Sequence, residues 1–514
     1  MSETIFDIAE KLRGICDYIA NAVDVEKLIN VLKYDINNPL LFNTGLFLLL
    51  FCGFLLIYQI IRRWRTAKFL FVIAFSLYFY YKSSAEYVFI LLGVCVSDYI
   101  LGRAIEKFKK DWLRRTIVGL NVLINIGMLV YFKYFNLLYE SFANLTGRDF
   151  DALNIILPAG ISFFTFRSIS YIVDLYRGKM EACKSFLAYT FYLTFFPPLL
   201  AGPVVRAKDM LPQVEANTSA TKAMISEGLF LVMCGLIKKV VIADFIADGF
   251  VNRIFENPSL YSGFEVLMGI YGFFIQLYCD FSGYSDMAIG IALMLGYQFF
   301  DNFRSPFKAQ SPTEFWHRWH ISLSTWLRDY LYIPLGGNRC GVVRRNLNLM
   351  ATMVLGGIWH GASWMFMIWG ALQGVFLIGH KTIKHIWPKW NTENVAILSL
   401  RRIFNIFITF NLIAFSFVFF RAESLTSVKE MWVQITESFH LNVASQFISE
   451  YFEIVLLIIC AYIMHFMPER TTASLKKAYN ASPLLLQTVV LVSVIFLVIQ
   501  VRQAEIQPFI YLNY

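Results

Sequence analysis

Long apolar runs separated by short polar loops fill this chain from about residue 40 onward. About 20 apolar residues in a helix cross the hydrocarbon layer of a bilayer, and slightly shorter runs can suffice, so each run predicts one membrane-spanning helix. The runs lie at about 40–61, 67–81, 86–101, 116–132, 224–248, 262–279, 284–300, 347–379, 403–420, 453–468 and 483–501. The pattern predicts an all-α integral membrane protein, a multi-spanning helical bundle of about eleven spans.

The apolar pattern is less regular after residue 152. Pro158 and Gly160 interrupt one run, Pro197 and Pro198 interrupt another, and Gly283 interrupts a third. Broken helices are tolerated at membrane depth only where protein or a wet cavity satisfies the freed backbone groups. We therefore expect re-entrant helices around a central funnel, with Gly283 separating two spans.

The stretch 311–334 mixes apolar and charged residues. Ser311 suits a helix N-cap and Glu314 the third position of a capping box, so the pattern predicts one helix that begins there and continues to the end of the stretch. Helical spacing places Trp316 and His320 on its apolar face. A helix of this composition is more typical of a re-entrant or interfacial element than of a plain span.

The N-terminal segment has a different character. Residues 1–39 hold seven acidic side chains against four basic ones, and apolar residues recur at helical spacing. We predict an amphipathic interfacial segment there, followed by one membrane domain at 40–514. The basic loops at 62–65 and 102–115 are two spans apart and share one side, which the positive-inside rule assigns to the cytoplasm. The N-terminus is then predicted to be extracytoplasmic.

Composition narrows the function classes. The chain has 57% hydrophobic and 16% charged residues, which excludes a soluble globular protein. The net charge of +9 comes largely from loops beside apolar runs, so it reflects topology and does not indicate a nucleic-acid partner. The eight cysteines are scattered without a Cys-x-x-Cys pair, so neither a disulfide framework nor a metal site is expected.

His360 is the one side chain that titrates near neutral pH in the apolar stretch between Arg345 and His380. An ionisable group at membrane depth is costly to keep and marks a functional site by default, and imidazole suits general-base catalysis. The alternative is a structural imidazole that donates to a backbone carbonyl between helices. His320 has its own alternative, an interfacial anchor beside neighbouring tryptophans.

Two strings of residues carry a resemblance to a known family. The first runs from Phe315 to Asn338 through Trp319-His320 and Leu327-Arg328-Asp329-Tyr330, and the second is Gly357-Ile358-Trp359-His360-Gly361-Ala362. Both resemble signatures of the membrane-bound O-acyltransferases (MBOAT), in particular the branch that O-acetylates bacterial alginate. Similar strings occur in the same order at 157–163, 171–178, 196–206, 280–288 and 508–511, so the resemblance spans roughly residues 40–514.

The resemblance implies an O-acyltransferase in the bacterial cytoplasmic (inner) membrane. It implies transfer of an acyl group, acetyl in the first instance, from a cytoplasmic thioester, acyl-CoA or an acyl carrier protein. The acceptor is a hydroxyl of an extracytoplasmic polysaccharide or cell-wall glycan, reached directly or through a secreted or periplasmic partner. The thioester acts as co-substrate, and no bound cofactor is expected.

The resemblance also implies a catalytic histidine. We assign His360 as general base and His320 as a second catalytic or substrate-positioning residue, with their order open. Arg206 and Arg328 suit an anionic donor such as coenzyme A phosphates, although contact with solvent or lipid headgroups explains them equally. The candidate substrate-binding residues are Trp316, Trp319, Arg328, Asp329, Trp359 and Arg206.

Two positions depart from the family pattern. His317 stands where related sequences usually have arginine, which adds an imidazole without an assigned role. Gln373 stands where they often have histidine, which weakens any mechanism that needs a further histidine in that span.

A transporter or flippase for a lipid-linked glycan or acyl donor is the main alternative. Such a protein could use Asp280 and Asp286 as a proton relay. Six residues apart, they do not share a helical face, which favours separate structural contacts. Transporters usually have repeated halves, and we detect none. A third possibility is a catalytically silent scaffold for a secreted acyltransferase.

Overall fold

A computed structural model describes residues 25–386 and 394–501, and within these ranges it contains helices and no β-strand. The helices of the first half are α1 Val25–Leu32, α2 Gly45–Ile61, α3 Arg65–Ser84, α4 Val88–Lys107, α5 Asp111–Leu129, α6 Phe135–Thr146, α7 Ile161–Tyr176, α8 Phe186–Thr194, α9 Ala207–Glu215, α10 Lys222–Leu236 and α11 Asn252–Glu256. Those of the second half are α12 Gly263–Met294, α13 Pro312–Arg318, α14 Ile321–Leu327, α15 Val342–His360, α16 Trp364–Ile386, α17 Val395–Arg421, α18 Leu425–Glu437, α19 Ala444–Glu450, α20 Phe452–Phe466, α21 Glu469–Ala481 and α22 Leu484–Val501. Helix α1 lies in the predicted interfacial segment, while residues 1–24 of that segment and the string 508–511 lie outside the described residues.

Membrane-spanning character is confirmed. Within the described residues, 5 helical runs are long and apolar enough to cross a bilayer, or up to 6 if the pair bent by 96° at α19 and α20 counts as one span. The five are Arg65–Lys107, Asp111–Thr146, Gly263–Met294, Val395–Arg421 and Leu484–Val501. The protein is therefore an all-helical multi-pass membrane protein.

The sequence suggested that Gly283 separates two spans, and this prediction is wrong. Helix α12 continues through Gly283 and has 32 residues. A Cβ at Gly283 would lie 2.8 Å from the carbonyl oxygen of Gly235 in α10, and one at Gly290 would lie 2.5 Å from that of Gly228. The glycines of each helix are seven residues apart and meet in antiparallel register. Gly283 is thus a close-packing position, a common use of glycine in membrane helices.

The apolar stretch around His360 is also organised differently from the expectation of one long span. Helix α15 ends at His360, and α16 begins at Trp364 after a short turn. Gly357 lets the two helices approach closely, since a Cβ there would lie 2.9 Å from the Cα of Gly370. Close packing at Gly357 was expected, but the stretch is a helical hairpin with His360 at its bend.

Irregular backbone occurs inside the protein, as the broken apolar runs predicted. Residues 195–206 are all buried and connect α8 to α9 without a helix. Gly160 precedes α7 with φ +71°, and a Cβ there would lie 2.4 Å from the carbonyl oxygen of Leu199. A left-handed backbone conformation and this close approach both require glycine.

Candidate active site

The predicted helix at 311–334 is broken at His320. Helix α13 ends at Arg318, α14 begins at Ile321, and a π-helical turn follows at Arg328–Tyr332. His320 has φ 42° and ψ 54°, a left-handed conformation that is uncommon for residues other than glycine and that concentrates at functional sites. The predicted start is confirmed, since Ser311 Oγ accepts from the Glu314 amide at 3.2 Å.

Asn302 explains why the chain breaks there. Its Oδ1 accepts from the amide of Ser322 at 3.2 Å and from the Ser322 hydroxyl at 2.8 Å, and its backbone oxygen accepts from Ile321 at 2.9 Å. These bonds take the place of helical ones around His320. Asn302 is buried and is itself fixed by donating to Ser285 Oγ at 3.1 Å. Sequence reasoning missed this residue because it lies in a loop and belongs to no local pattern.

Asn302 also determines which nitrogen of the His320 ring carries the hydrogen. Nδ1 lies 3.1 Å from Asn302 Oδ1. An amide oxygen only accepts, so Nδ1 carries the hydrogen and Nε2 keeps its lone pair. Nε2 is buried with no hydrogen-bond partner in the described part of the chain. His320 therefore offers a buried, oriented and unoccupied proton acceptor.

Trp359 joins the two predicted catalytic histidines. Its ring centroid lies 6.3 Å from that of His320 and 5.0 Å from that of His360. The imidazoles are 0% and 3% exposed. His360 also packs edge-on against Trp369 at 5.1 Å. The buried apolar side chains form two hydrophobic clusters, one containing Trp359 and the second containing Trp369. The site therefore lies between the two clusters.

The end of the His360 helix is held from α5 and α6. Lys133, in the π-helical turn Val130–Tyr134, donates from Nζ to the carbonyl oxygens of Trp359 and His360, each at 2.9 Å. The Tyr134 hydroxyl donates to the carbonyl of Ile358 at 2.9 Å. A cation at the carboxyl end of a helix is favourable, so this contact fixes the residue that carries the imidazole. In the sequence, the one sign of this contact is that Lys133 directly follows the apolar run 116–132. A lysine at that position is indistinguishable from an ordinary residue flanking a span.

The predicted tryptophans divide into two groups. Trp359 lies between the two histidines, whereas Trp316 packs against Trp369, which in turn contacts His360. The indole nitrogens of Trp316, Trp359 and Trp369 are buried without partners among the described residues. Unpaired buried donors are unfavourable and call for a partner. Trp319 lies deeper, stacked on Phe315 at 5.5 Å.

Arg206, Arg328 and Asp329 form one cluster. Asp329 lies 2.7 Å from Arg206 and 2.8 Å from Arg328, although 123 residues separate it from Arg206. Burial raises the pKa of Asp329, but the hydrogen bonds from Arg328 and Arg206 outweigh it and hold that pKa below its ordinary value. The cluster lines a cavity of about 610 Å³ that also contains Lys208 and Ser322.

This cavity adjoins the second predicted cytoplasmic loop and the histidine site. Arg114 in the second basic loop donates to the carbonyl of Tyr176 at 3.0 Å, and the adjacent Arg177 donates to the carbonyl of Asp329 at 2.9 Å. On the inner side, Ser322 lines the cavity and donates to the same Asn302 oxygen that faces His320. Two hydrogen bonds that share Asn302 Oδ1 therefore connect the cavity wall to the ring of His320.

Asp280 and Asp286 have separate partners, as their spacing predicted. Lys239 lies 2.7 Å from Asp280, and Lys238 lies 2.7 Å from Asp286. Sequence reasoning missed both lysines. Both come from the π-helical turn Ile237–Asp244 that follows α10. Only the pairing of this segment with α12 shows that they meet these carboxylates.

The remaining unusual residues lie apart. Gln373 donates to Ser416 Oγ at 2.7 Å and so links α16 to α17. His317 is exposed and lines a second cavity. Within residues 25–386 and 394–501, no group of three or more His, Cys, Asp or Glu side chains could hold a metal ion.

Comparisons with known proteins relate the chain to an acyltransferase family. Residues 183–420 match the model of MBOAT, the membrane-bound O-acyltransferase family. The chain is 40% identical over 405 residues to the probable alginate O-acetylase of Pseudomonas syringae pv. tomato, covering 76% of this chain and 74% of that protein. It is 36% identical over 430 residues to the peptidoglycan O-acetyltransferase of Helicobacter pylori, covering 78% and 80%. It is 28% identical over 283 residues to the teichoic acid D-alanyltransferase of Bacillus subtilis, covering 52% and 69%.

Proposed function

This chain belongs to the membrane-bound O-acyltransferase family, and on that premise we propose that it transfers an acyl group, acetyl in the first instance, to a polysaccharide. The donor is a thioester on the cytoplasmic side, acyl-CoA or an acyl carrier protein. The acceptor is a hydroxyl of an extracytoplasmic polysaccharide or cell-wall glycan, reached directly or through a secreted or periplasmic partner. The names of the relatives support this acceptor class, since they specify alginate, peptidoglycan and teichoic acid.

The arginine-lined cavity is the proposed donor entrance. It adjoins the second basic loop, which the positive-inside rule assigns to the cytoplasm, and a donor such as coenzyme A carries anionic phosphates. Arg206 and Arg328 share one carboxylate, so the pair keeps a net positive charge that favours phosphate. With this orientation the acceptor enters from the opposite side through the predicted funnel, and the N-terminus is extracytoplasmic.

The observation that carries the proposal is the pair of buried imidazoles on Trp359, one with an unoccupied lone pair. The acceptor oxygen attacks the thioester carbonyl carbon while an imidazole takes the hydroxyl proton. The C–S bond then breaks, and the sulfur leaves as a thiol with that proton. We assign His360 as the base, and the lone pair on His320 Nε2 supports His320 in orienting or deprotonating the acceptor.

The test compares purified wild type with His360→Ala and His320→Ala, using acetyl-CoA labelled in the acetyl group and an isolated glycan acceptor. Loss of a positioned acid–base group lowers turnover by about 10²–10⁴-fold, at equal amounts of folded protein. His440→Ala, at an exposed histidine, is the matched control and keeps wild-type transfer. Unchanged transfer in both active-site variants would refute the proposal, and glycan flux without thioester consumption would support a flippase instead.

A further inference from the structure

A second cavity, of about 990 Å³, lies between α10, α12, α13 and the corner from α20 to α21. One of its walls is apolar and includes Phe230, Leu231, Met464 and Leu475. Met464 is 44% and Leu475 55% exposed, so this wall continues onto the outer surface. Helix α20 is apolar there, and α21 is polar, which is the order expected where a helix leaves the hydrocarbon for the headgroup layer.

The opposite wall carries donors that are only partly used. Arg304 pairs with Asp301 through Nε at 3.3 Å, and Arg318 pairs with Glu314 through Nε at 2.9 Å. A guanidinium has five N–H donors in a fork that matches phosphate. Arg318 also donates from Nη1 to the carbonyl of Arg304 at 3.1 Å. Both arginines still keep N–H donors for a ligand while their carboxylate partners hold them in place.

His465 adds a buried donor to this wall. Its Nε2 accepts from the amide of Phe307 at 3.0 Å, so the ring hydrogen is on Nδ1. His465 is 6% exposed, and Nδ1 has no hydrogen bond of normal geometry among the described residues, with the Ser305 backbone close enough to interact with the ring. A buried N–H without an acceptor is unfavourable, and a ligand oxygen in the cavity would satisfy it.

We propose that this cavity binds an anionic membrane phospholipid. Its phosphate lies among Arg304, Arg318 and His465 Nδ1–H, and its acyl chains follow the wall with Met464 and Leu475 out to the bilayer. Asp301 and Arg304 also line the proposed donor cavity, so the two cavities adjoin. Lipid binding itself holds whether or not the proposed acyl transfer is correct. Because Arg304 lies two residues after Asn302, a bound lipid also steadies the segment that orients His320.

The test uses the full-length protein in phosphatidylcholine vesicles that contain phosphatidylglycerol with a photoreactive acyl chain. Labelled peptides are mapped by mass spectrometry, and α20 and α21 are expected to carry the label. The double variant Arg304→Gln and Arg318→Gln lowers that label by about fivefold or more, the usual effect of losing a single basic residue at an anionic lipid. The matched control is Arg103→Gln with Arg115→Gln, which also removes one i,i+3 and one i,i+4 ion pair.

Three outcomes overturn the proposal: no label on α20 or α21 in the wild type, equal labelling of the two double variants, or displacement of the label by coenzyme A, which assigns the cavity to the donor. Leu475→Glu, at an exposed position of α21, tests the same site without touching the arginines. It places a carboxylate on the acyl-chain wall and is expected to lower the label as well. An unchanged label in this variant counts against the lipid path.

Discussion

Two neighbouring regions of this protein are built on opposite principles. Helices α10 and α12 are packed through two glycine pairs, Gly228 with Gly290 and Gly235 with Gly283. The adjacent segment from Asn302 to α14 is broken, strained at His320 and held by side-chain hydrogen bonds. The first region is a rigid support, and the second carries an oriented imidazole. The candidate chemistry therefore lies where regular helix is interrupted, beside a closely packed pair of helices.

The sharpest test of the broken region is Asn302→Leu. Without the amide oxygen, the ring of His320 loses its orientation, and misplacement of a reacting group by about 1 Å lowers turnover by roughly 10²-fold. We expect this loss in kcat with the donor KM unchanged, measured on folded protein. Asn302→Asp keeps an acceptor oxygen and should recover part of the activity. Turnover of the leucine variant close to wild type would show that Asn302 does not position His320.

In the glycine-packed pair α10 and α12, we expect Gly235→Ala to lower stability and leave turnover unchanged. The added Cβ would lie 2.5 Å from the Gly283 oxygen, and overpacking of this kind lowers the free energy of unfolding by about 1–3 kcal/mol. Thermal unfolding in detergent is expected at a lower temperature, with turnover per folded molecule unchanged. The control is Gly127→Ala, where a Cβ would meet nothing within 4 Å. Equal unfolding temperatures for the two variants would contradict the close contact.

Lys133 connects the site to a third element. Lys133→Met removes a cation from the end of the His360 helix, an interaction worth up to about 2 kcal/mol in a partly buried setting. We expect kcat to fall about tenfold with little change in KM, and Lys133→Arg to restore most of it. Tyr134→Phe, which loses one carbonyl contact but no charge, should have a smaller effect. If the methionine variant lowers only the yield of folded protein, the contact is purely structural.

The smallest expected effect concerns the Asp329 cluster. Because the pKa of Asp329 lies below its ordinary value, its ion pairs stabilise the folded state above the ordinary carboxyl pKa, and that contribution is lost as pH falls through the lowered pKa. The unfolding temperatures of wild type and Asp329→Asn should differ at neutral pH and converge in acid. A difference that grows in acid would contradict this assignment.

The sequence predicted the features that depend only on residues close together along the chain. Most apolar runs became helices, the Ser311 cap starts α13, and the separate partners of Asp280 and Asp286 followed from helical spacing. Arg206, Arg328 and Asp329 were chosen singly and proved to be one cluster.

The errors have a shared physical cause. Gly283 gives the same local signal whether it breaks a helix or lets another helix approach, and only Gly235 across the interface decides. Likewise, the helix at 311–334 had a good local pattern, but Asn302 competes for its backbone groups. Lys133 belongs to the same class, because its partners at 359 and 360 are more than 200 residues away. The count of about eleven spans and the funnel remain predictions.

The shared contact with Trp359 has a consequence for how catalytic contributions are apportioned. Both imidazoles contact the Trp359 indole, so replacing one histidine changes the packing around the other. The energetic effects of substituting His320 and His360 are then not independent. The combined loss from altering both should fall short of the sum of the separate losses. The rate acceleration that is lost when one histidine is replaced therefore includes a contribution from the other histidine.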